Sequence, residues 1–214
     1  MRIGILGTGD VGRKLGSKLA SLGHEVKMGS RTAQNPNSYE WVRMTGSKAS
    51  AGTFADAAKF GEVVFNCTAG SASLEALKLA GADNIGMKVL IDVANPLDFS
   101  RGMPPSLTVS NTDSLGEQIQ RNFPEAKVVK ALNTLSNTVM TDPHLVPGDS
   151  DVFVCGNNVL AKGTVTEILK SFGWKSPIDL GDITAARGLE MWLPLWATLF
   201  GTLKNPNFNI KIVR

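Results

Sequence analysis

Cysteine and histidine are scarce, with two of each in 214 residues. Cys67 and Cys155 lie in separate apolar runs, the pattern of buried free thiols in a reducing compartment and not of a disulfide framework. His24 and His144 stand apart from each other and from the cysteines, so no metal-ligand spacing emerges; either could carry a proton singly. Basic runs are missing too. The net charge is only +3 and the cations are scattered, which argues against nucleic acid and leaves anionic small molecules as partners. No long hydrophobic run is present. The apolar stretch from Trp192 to Leu203 is interrupted by Pro194 and Gly201 and falls short of the ~20 residues a bilayer span needs, so no membrane partner is expected. Met1 opens directly onto a strand pattern with no room for a cleavable leader, and the expected location is cytoplasmic.

What is present is a complete first β-α-β unit. Ile3, Ile5 and Leu6 make a short buried strand. Gly7-Thr8-Gly9-Asp10-Val11-Gly12 follows, and then an amphipathic helix with Val11, Leu15, Leu19 and Leu22 at helical spacing and Gly23 as its stop. Glu25 to Met28 is the second strand. A G-x-G-x-x-G at a strand-to-helix junction is the dinucleotide-binding arrangement: one glycine for the tight turn, one for close approach of a pyrophosphate, one for helix packing. At the end of the second strand an NAD site carries Asp or Glu. This chain has Gly29-Ser30-Arg31-Thr32 instead. Arg31 can grip a 2′-phosphate with a planar fork, Ser30 and Thr32 add hydroxyls, and an Asp at Gly29 is expected to repel that phosphate. The reading is NADP(H).

Further along, Ser38 to Met44 reads as a short helix capped by Ser38, Ser47 to Ala51 as a third strand, and Thr53 as the cap of another helix. Glu62 to Cys67 and Lys88 to Val93 are strands buried on both faces. Their carboxyl ends bring Thr68, Ala69 and Gly70, then Asn95 and Pro96, to the crevice where open α/β sheets bind ligands. Lys127 to Leu132 is the sixth strand and ends at Asn133. Asn66, Asn95 and Asn133 are therefore expected to converge as neutral amides that orient a ligand without strong acid or base. The segment Phe99 to Val109 is a loop and lid-like. After about residue 135 come a strand near Asp151 to Gly156, a helix to Phe172, a strand near Ser176 to Leu180, and an apolar helix from Ala185 to about Thr202. That helix has more apolar residues than one face can hold, which fits either a core position or a subunit interface in a homodimer. The expected class is α/β: a Rossmann-type, doubly wound, mostly parallel sheet with a small C-terminal α/β extension. Residues 1–135 form the NADP-binding domain and 136–214 a small C-terminal domain for substrate or dimerisation.

Taken together, the glycine motif, the Gly29-Ser30-Arg31 turn, Asp92-Val93-Ala94-Asn95-Pro96-Leu97, Lys130-Ala131-Leu132-Asn133-Thr134 and the run from Leu180 to Glu190 resemble the NADP reductases dependent on the deazaflavin coenzyme F-420. The resemblance covers nearly the whole chain. More distantly, the chain is similar to the cytosolic domain of the six-transmembrane metalloreductases and to the N-terminal domain of pyrroline-5-carboxylate reductases. The F-420 family implies direct hydride transfer between nicotinamide and deazaflavin, with no dedicated side-chain acid or base. It implies that Thr8, Ser30 and Arg31 hold the phosphates, that the Pro96 loop lies beside the nicotinamide, and that Trp192 and Trp196 mark the region of the second ring. The acceptor stays open between a deazaflavin (F-420), FMN and FAD. Two other functions also stay open: a reductase of a small keto or imino acid, which wants a positioned acid such as Lys or His and finds no convincing one here, Lys130 lying near a strand end, and a non-catalytic NADP(H) sensor.

Overall fold

The computed structural model describes residues 1–213. The first half of the chain alternates strand and helix: β1 Arg2–Leu6, α1 Asp10–Ser21, β2 Glu25–Ser30, α2 Pro36–Thr45, β3 Ala49–Thr53, α3 Phe54–Phe60, β4 Val63–Asn66, α4 Gly70–Ala80, α5 Ala82–Ile85 and β5 Val89–Asp92. A two-stranded antiparallel ribbon follows, β6 Leu97–Asp98 just before the segment expected to be a loop and β7 Ser106–Leu107 inside it. The chain then runs through α6 Leu115–Asn122, β8 Lys127–Ala131, α7 Asn137–Thr141, β9 Phe153–Cys155, α8 Val159–Phe172, β10 Ile178–Asp179 and α9 Ala186–Leu203, with single 3₁₀ turns at Pro143–Leu145 and Ile183–Ala185.

Eight of these strands make one sheet in the order β10-β9-β8-β5-β4-β1-β2-β3. All neighbours are parallel except β8 and β9. The C-terminal strands β9 and β10 thus extend the same sheet. From β1 the chain winds outward to β2 and β3, then returns to lay β4 on β1's other side. The strand order reverses there, and a crevice opens beyond the carboxyl ends of β1 and β4. Strand alternation feeds two cores. Ile3, Ile5, Val63 and Phe65 pack on the side of α1 and α8, with Leu15, Leu19 and Leu169. Leu6, Val64, Leu90 and Val128 face the other way, onto Leu77, Ile119 and Leu189.

The helix starts explain two shifts from the sequence reading. Residue 38 is not the cap of α2. Asn35 is, with its side-chain oxygen accepting from the Ser38 amide at 3.2 Å and Pro36 in the first helical position. Asn-Pro is a cap followed by a residue whose φ is already helical and whose missing N–H has no partner to lose. The other shift is β3, which lies two residues later than expected, at Ala49–Thr53, in register with Val26 to Ser30. Thr53 caps α3 as expected, and Asp56 completes a capping box.

Candidate functional site

Five helices, α2, α3, α6, α7 and α8, begin with a side-chain cap, from Asn35, Thr53, Ser114, Ser136 and Asn158. α5 and α9 begin without one, at Gly81 and Ala185, and so do α1 and α4, at Gly9 and Ala69. Of these four, α1 and α4 start at the switch-point crevice. The first-turn N–H groups of a helix lack intrahelical acceptors, and the positive end of its dipole favours anions. Two uncapped N-termini therefore face a cavity of about 460 Å³.

That cavity is lined by Gly7, Thr8 and Gly9, by Ser30, Arg31 and Thr32 at the end of β2, by Thr68 and Ala69, and by Asn35, Phe54, Cys67, Ala72, Glu75, Ala76 and Leu79. The glycines differ in kind. Gly7 sits at φ +119°, and a Cβ there would lie 2.6 Å from the Cys67 carbonyl oxygen. A Cβ on Gly12 would collide with the Gly7 carbonyl, and one on Gly70 with the Asn95 carbonyl. Gly9 has ordinary extended angles, φ −75° and ψ −177°, and a Cβ built on it meets nothing within 4 Å. No packing or backbone requirement explains Gly9; the open space in front of it does.

Arg31 is exposed, lines the cavity, and among the described residues has no ion pair or hydrogen bond. Its charge is free for a ligand. Ser30 is 5% exposed, and its hydroxyl donates to the Thr32 carbonyl at 2.5 Å, so its proton is committed inside the turn. Thr32 is exposed. Gly29 is buried with its missing Cβ 2.8 Å from that of Ala57 and 2.9 Å from the Thr53 carbonyl oxygen. A carboxylate cannot be introduced there without displacing α3, which corrects the choice of Gly29 for an acidic substitution. Asp10, Val11 and Gly12 lie outside the cavity lining, in the first turn of α1. Asp10 is exposed and pairs with Arg13 at 2.6 Å.

The three asparagines do not converge as free amides. Asn66 is fully buried; it donates to Asp92 at 2.8 Å and Ser73 at 3.1 Å and accepts from the Thr68 hydroxyl at 2.7 Å. Asn95 and Asn133 bond each other. The Asn95 amide donates to the Asn133 carbonyl, and the Asn133 amide donates to the Asn95 side-chain oxygen, both at 2.8 Å, with a further bond to the Leu189 carbonyl at 3.1 Å. Their work is to brace the loop after β5 against β8 and α9. Pro96 is buried in that loop. Its carbonyl accepts from Thr108 at 2.8 Å, tying the loop to the β6–β7 ribbon.

Beneath this lies a cluster that sequence reasoning missed. The Lys130 ammonium, wholly buried, sits 2.7 Å from Asp92 and 2.7 Å from Glu190 and donates to the Ala94 carbonyl at 2.5 Å. Glu190 also accepts from the amides of Leu115 and Gly116, at 2.8 and 3.0 Å. Burial works against the Lys130 charge, yet its two carboxylates prevail and hold its pKa above the ordinary lysine value. The lysine is a locked cation and not a donor poised over the crevice. Cys67 lines the cavity, but burial followed by the Asp92 charge pushes its thiol pKa far up, which leaves it unreactive.

Trp192 and Trp196 lie on α9, away from this cavity lining. Trp196 stacks on Phe200 and Phe208 with centroids 5.6 and 5.4 Å apart, so the chain's own rings occupy it.

The missed lining residues had uneven signals. Ala72, Glu75, Ala76 and Leu79 follow i, i+3, i+4, i+7 spacing, so the helical face could be read; its pairing with the β2 turn could not. Uncapped amides, a free guanidinium and an apolar wall suit an extended ligand with two anionic groups and a flat ring.

The model of the family "NADP oxidoreductase coenzyme F420-dependent" matches residues 2–96. The F420-dependent NADP reductase of Methanothermobacter marburgensis is 30% identical over 211 residues, covering 93% of this chain and 92% of that protein. A 1.70 Å crystal structure from Arthrobacter sp. FB24, assigned as an F420-dependent NADP reductase, is 52% identical, with a TM-score of 0.95 and complete coverage of both chains. Metalloreductase STEAP3 of Rattus norvegicus is 31% identical over 200 residues; the match takes in 91% of this chain but spans only 38% of that protein's length. No described helix is long and apolar enough to cross a membrane. The chain is an NADP-dependent oxidoreductase and belongs to the family of F420-dependent NADP reductases.

Proposed function

We propose that the chain transfers a hydride between NADP(H), bound in the switch-point cavity, and a deazaflavin of the F-420 type or a flavin, with no side chain serving as acid or base. The observation that carries the reading is the pairing of uncapped helix starts at Gly9 and Ala69 with the unpartnered Arg31 across the same cavity. The amides of the Gly7–Gly12 turn would take the pyrophosphate. Arg31 and Thr32 would take the 2′-phosphate, with Ser30 shaping their turn through its bond to the Thr32 carbonyl. Thr68, Ala69 and Gly70 would line the path toward the nicotinamide. The loop of Asn95 and Pro96, held by Asn133, would form the floor beside it. NADPH, when bound, supplies the hydride chemistry; the residues of the chain bind, orient and exclude water. Such a transfer needs two ring faces held at ~3–3.5 Å, which is a task of positioning.

A reductase of a keto or imino acid needs a proton donor, and Lys130 is the lysine near a strand end that could be asked to serve. Its enclosure by Asp92, Glu190 and the Ala94 carbonyl withdraws it from that role, which favours the flavin-type acceptor. Loss of NADPH absorbance, followed with F-420, FMN, FAD and riboflavin in turn, tests the reading. Turnover with one of these ring systems is expected. NADPH binding without turnover on any of them would instead support the sensor.

The working form would be a homodimer. Met191, Leu195 and Leu203 on α9 are 40%, 49% and 53% exposed, and β7, whose ribbon carries the exposed Phe99 and Met103 in its connection, packs against that helix. This apolar surface is continuous with a core helix and suits a second copy of the chain.

A further inference from the structure

We propose that Glu75 reads the base of the bound nucleotide: its carboxylate accepts a hydrogen bond from the 6-amino group of adenine and selects an amino purine over a 6-oxo purine. The inference rests on the NADP(H) reading of the cavity. Both anionic groups of the adenosine half hang from one ribose. Once the glycine turn holds the pyrophosphate and Arg31 the 2′-phosphate, the base on that ribose has one wall left. That wall is Phe54 with the α4 face, where Ala72, Ala76 and Leu79 are apolar and Glu75 alone is polar. Three aliphatic side chains and a phenyl ring suit the faces of a flat base; a single acceptor suits one donor on its edge.

The charge pattern points the same way. Arg31 is the only cation and Glu75 the only anion among the residues lining the cavity. They do not bond each other, and among the described residues Glu75, like Arg31, has no partner at all. An unpaired carboxylate beside a ligand with several negative charges weakens binding unless it receives a hydrogen bond in return. The adenosine half carries two donors, the 3′-hydroxyl and the 6-amino group. The hydroxyl adjoins the 2′-phosphate and so belongs with Arg31 and Thr32 at the end of β2. The amine belongs with α4, ahead of Glu75.

The test measures dissociation constants of NADPH and of its 6-oxo analogue, reduced nicotinamide hypoxanthine dinucleotide phosphate, by nucleotide fluorescence. The proteins are the native chain, Glu75→Ala, Glu75→Gln and, as control, Arg31→Ala. The native protein should prefer NADPH about tenfold, the scale of one hydrogen bond to a charged group at a partly solvated site. Glu75→Ala should lose about that factor for NADPH and none for the analogue. Glu75→Gln, which carries both a donor and an acceptor, should hold the two nearly equally. Equal native affinities, or a preference that survives in Glu75→Ala, overturn the proposal. A loss of both nucleotides by one common factor also overturns it, because the carboxylate would then meet the ribose. If either result appears while Arg31→Ala still weakens NADPH, Glu75 fails alone. If Arg31→Ala leaves NADPH unaffected, the assignment of the cavity fails and this inference with it.

Discussion

Gly7 and Gly9 are the same residue for opposite reasons. Gly7 is demanded by the chain itself, through a positive φ and the nearby Cys67 carbonyl; Gly9 is demanded by nothing in the chain. A side chain at Gly9 would project into the cavity without touching the protein, so Gly9→Val should abolish NADPH binding while thermal unfolding stays within a few degrees of native. Calorimetry with unchanged affinity would remove the pyrophosphate from this turn. Arg31 allows a graded prediction. A hydrogen bond to a charged group is worth roughly 1.5–3 kcal/mol, so Arg31→Ala should weaken NADPH about ten- to a hundredfold. NADH, without the phosphate, should change little. To move preference further toward NADH, the acidic substitution belongs at Ser30, which lines the cavity, because a side chain at Gly29 runs into α3. Ser30→Asp with Arg31→Ala should bring the two nucleotides to near-equal dissociation constants. If Arg31→Ala weakens both alike, the arginine is structural.

At the scale of elements, the buried Lys130 ties β8, β5, α6 and α9 into one unit through Asp92, Glu190 and the Ala94 carbonyl. Removing one partner from a buried ionic cluster typically costs about 3–5 kcal/mol, because the remaining charges lose their compensation. Lys130→Met should therefore lower the unfolding free energy measured by urea titration by that much, and adding Glu190→Gln should restore part of it. A Lys130→Met protein of native stability would show that the cluster has no net role. A surface pair gives a milder, pH-dependent effect. Arg121 bonds Asp113 at 2.7 Å and, chiefly through that bond, lowers the Asp113 carboxyl from 3.8 to about 2. The folded pKa is depressed, so the pair stabilises above about pH 4, and its contribution is lost as pH falls toward about 2. Arg121 is 58% exposed, which keeps the effect below about 1 kcal/mol. Arg121→Ala should flatten the acid limb of stability in that window and leave neutral pH nearly unchanged. An acid limb identical to native would mean that solvent screens the pair completely.

At the scale of the whole molecule, what could be read from the chain was whatever is local. The β1-turn-α1 unit and the Thr53 cap each follow from residues a few positions apart. Asn35-Pro36 was equally local, a cap and first-turn pair, but its polar neighbours disguised it as a loop. The reading failed where partners lie far apart in sequence. Lys130 shows no sign that Asp92 and Glu190 enclose it, 38 residues before and 60 after. Asn95 and Asn133 have the composition of ligand-binding amides, yet bond each other across two strand ends. Only the assembled sheet brings α4 opposite the β2 turn and so reveals the wall with Glu75.

The surface of α9 is the last such case. Trp196 is stacked on Phe200 and Phe208, and Leu189, Leu193 and Ala197 are buried, so the apolar surface on one side of the helix is covered within the chain. Met191, Leu195 and Leu203 lie on the remaining side and stay exposed. Burying an apolar side chain of this size is worth about 1.5–3 kcal/mol, and a two-fold interface would use each of the three twice. Light scattering at micromolar concentration should give twice the 22.8 kDa chain mass. Leu195→Lys places a charge in the centre of that surface on both subunits at once. It should shift the mass to the monomer without lowering NADPH affinity, because Leu195 is not among the residues lining the cavity. A native protein that scatters as a monomer would leave the apolar face without a second copy, and a Leu195→Lys protein that remains a dimer would move the interface off α9.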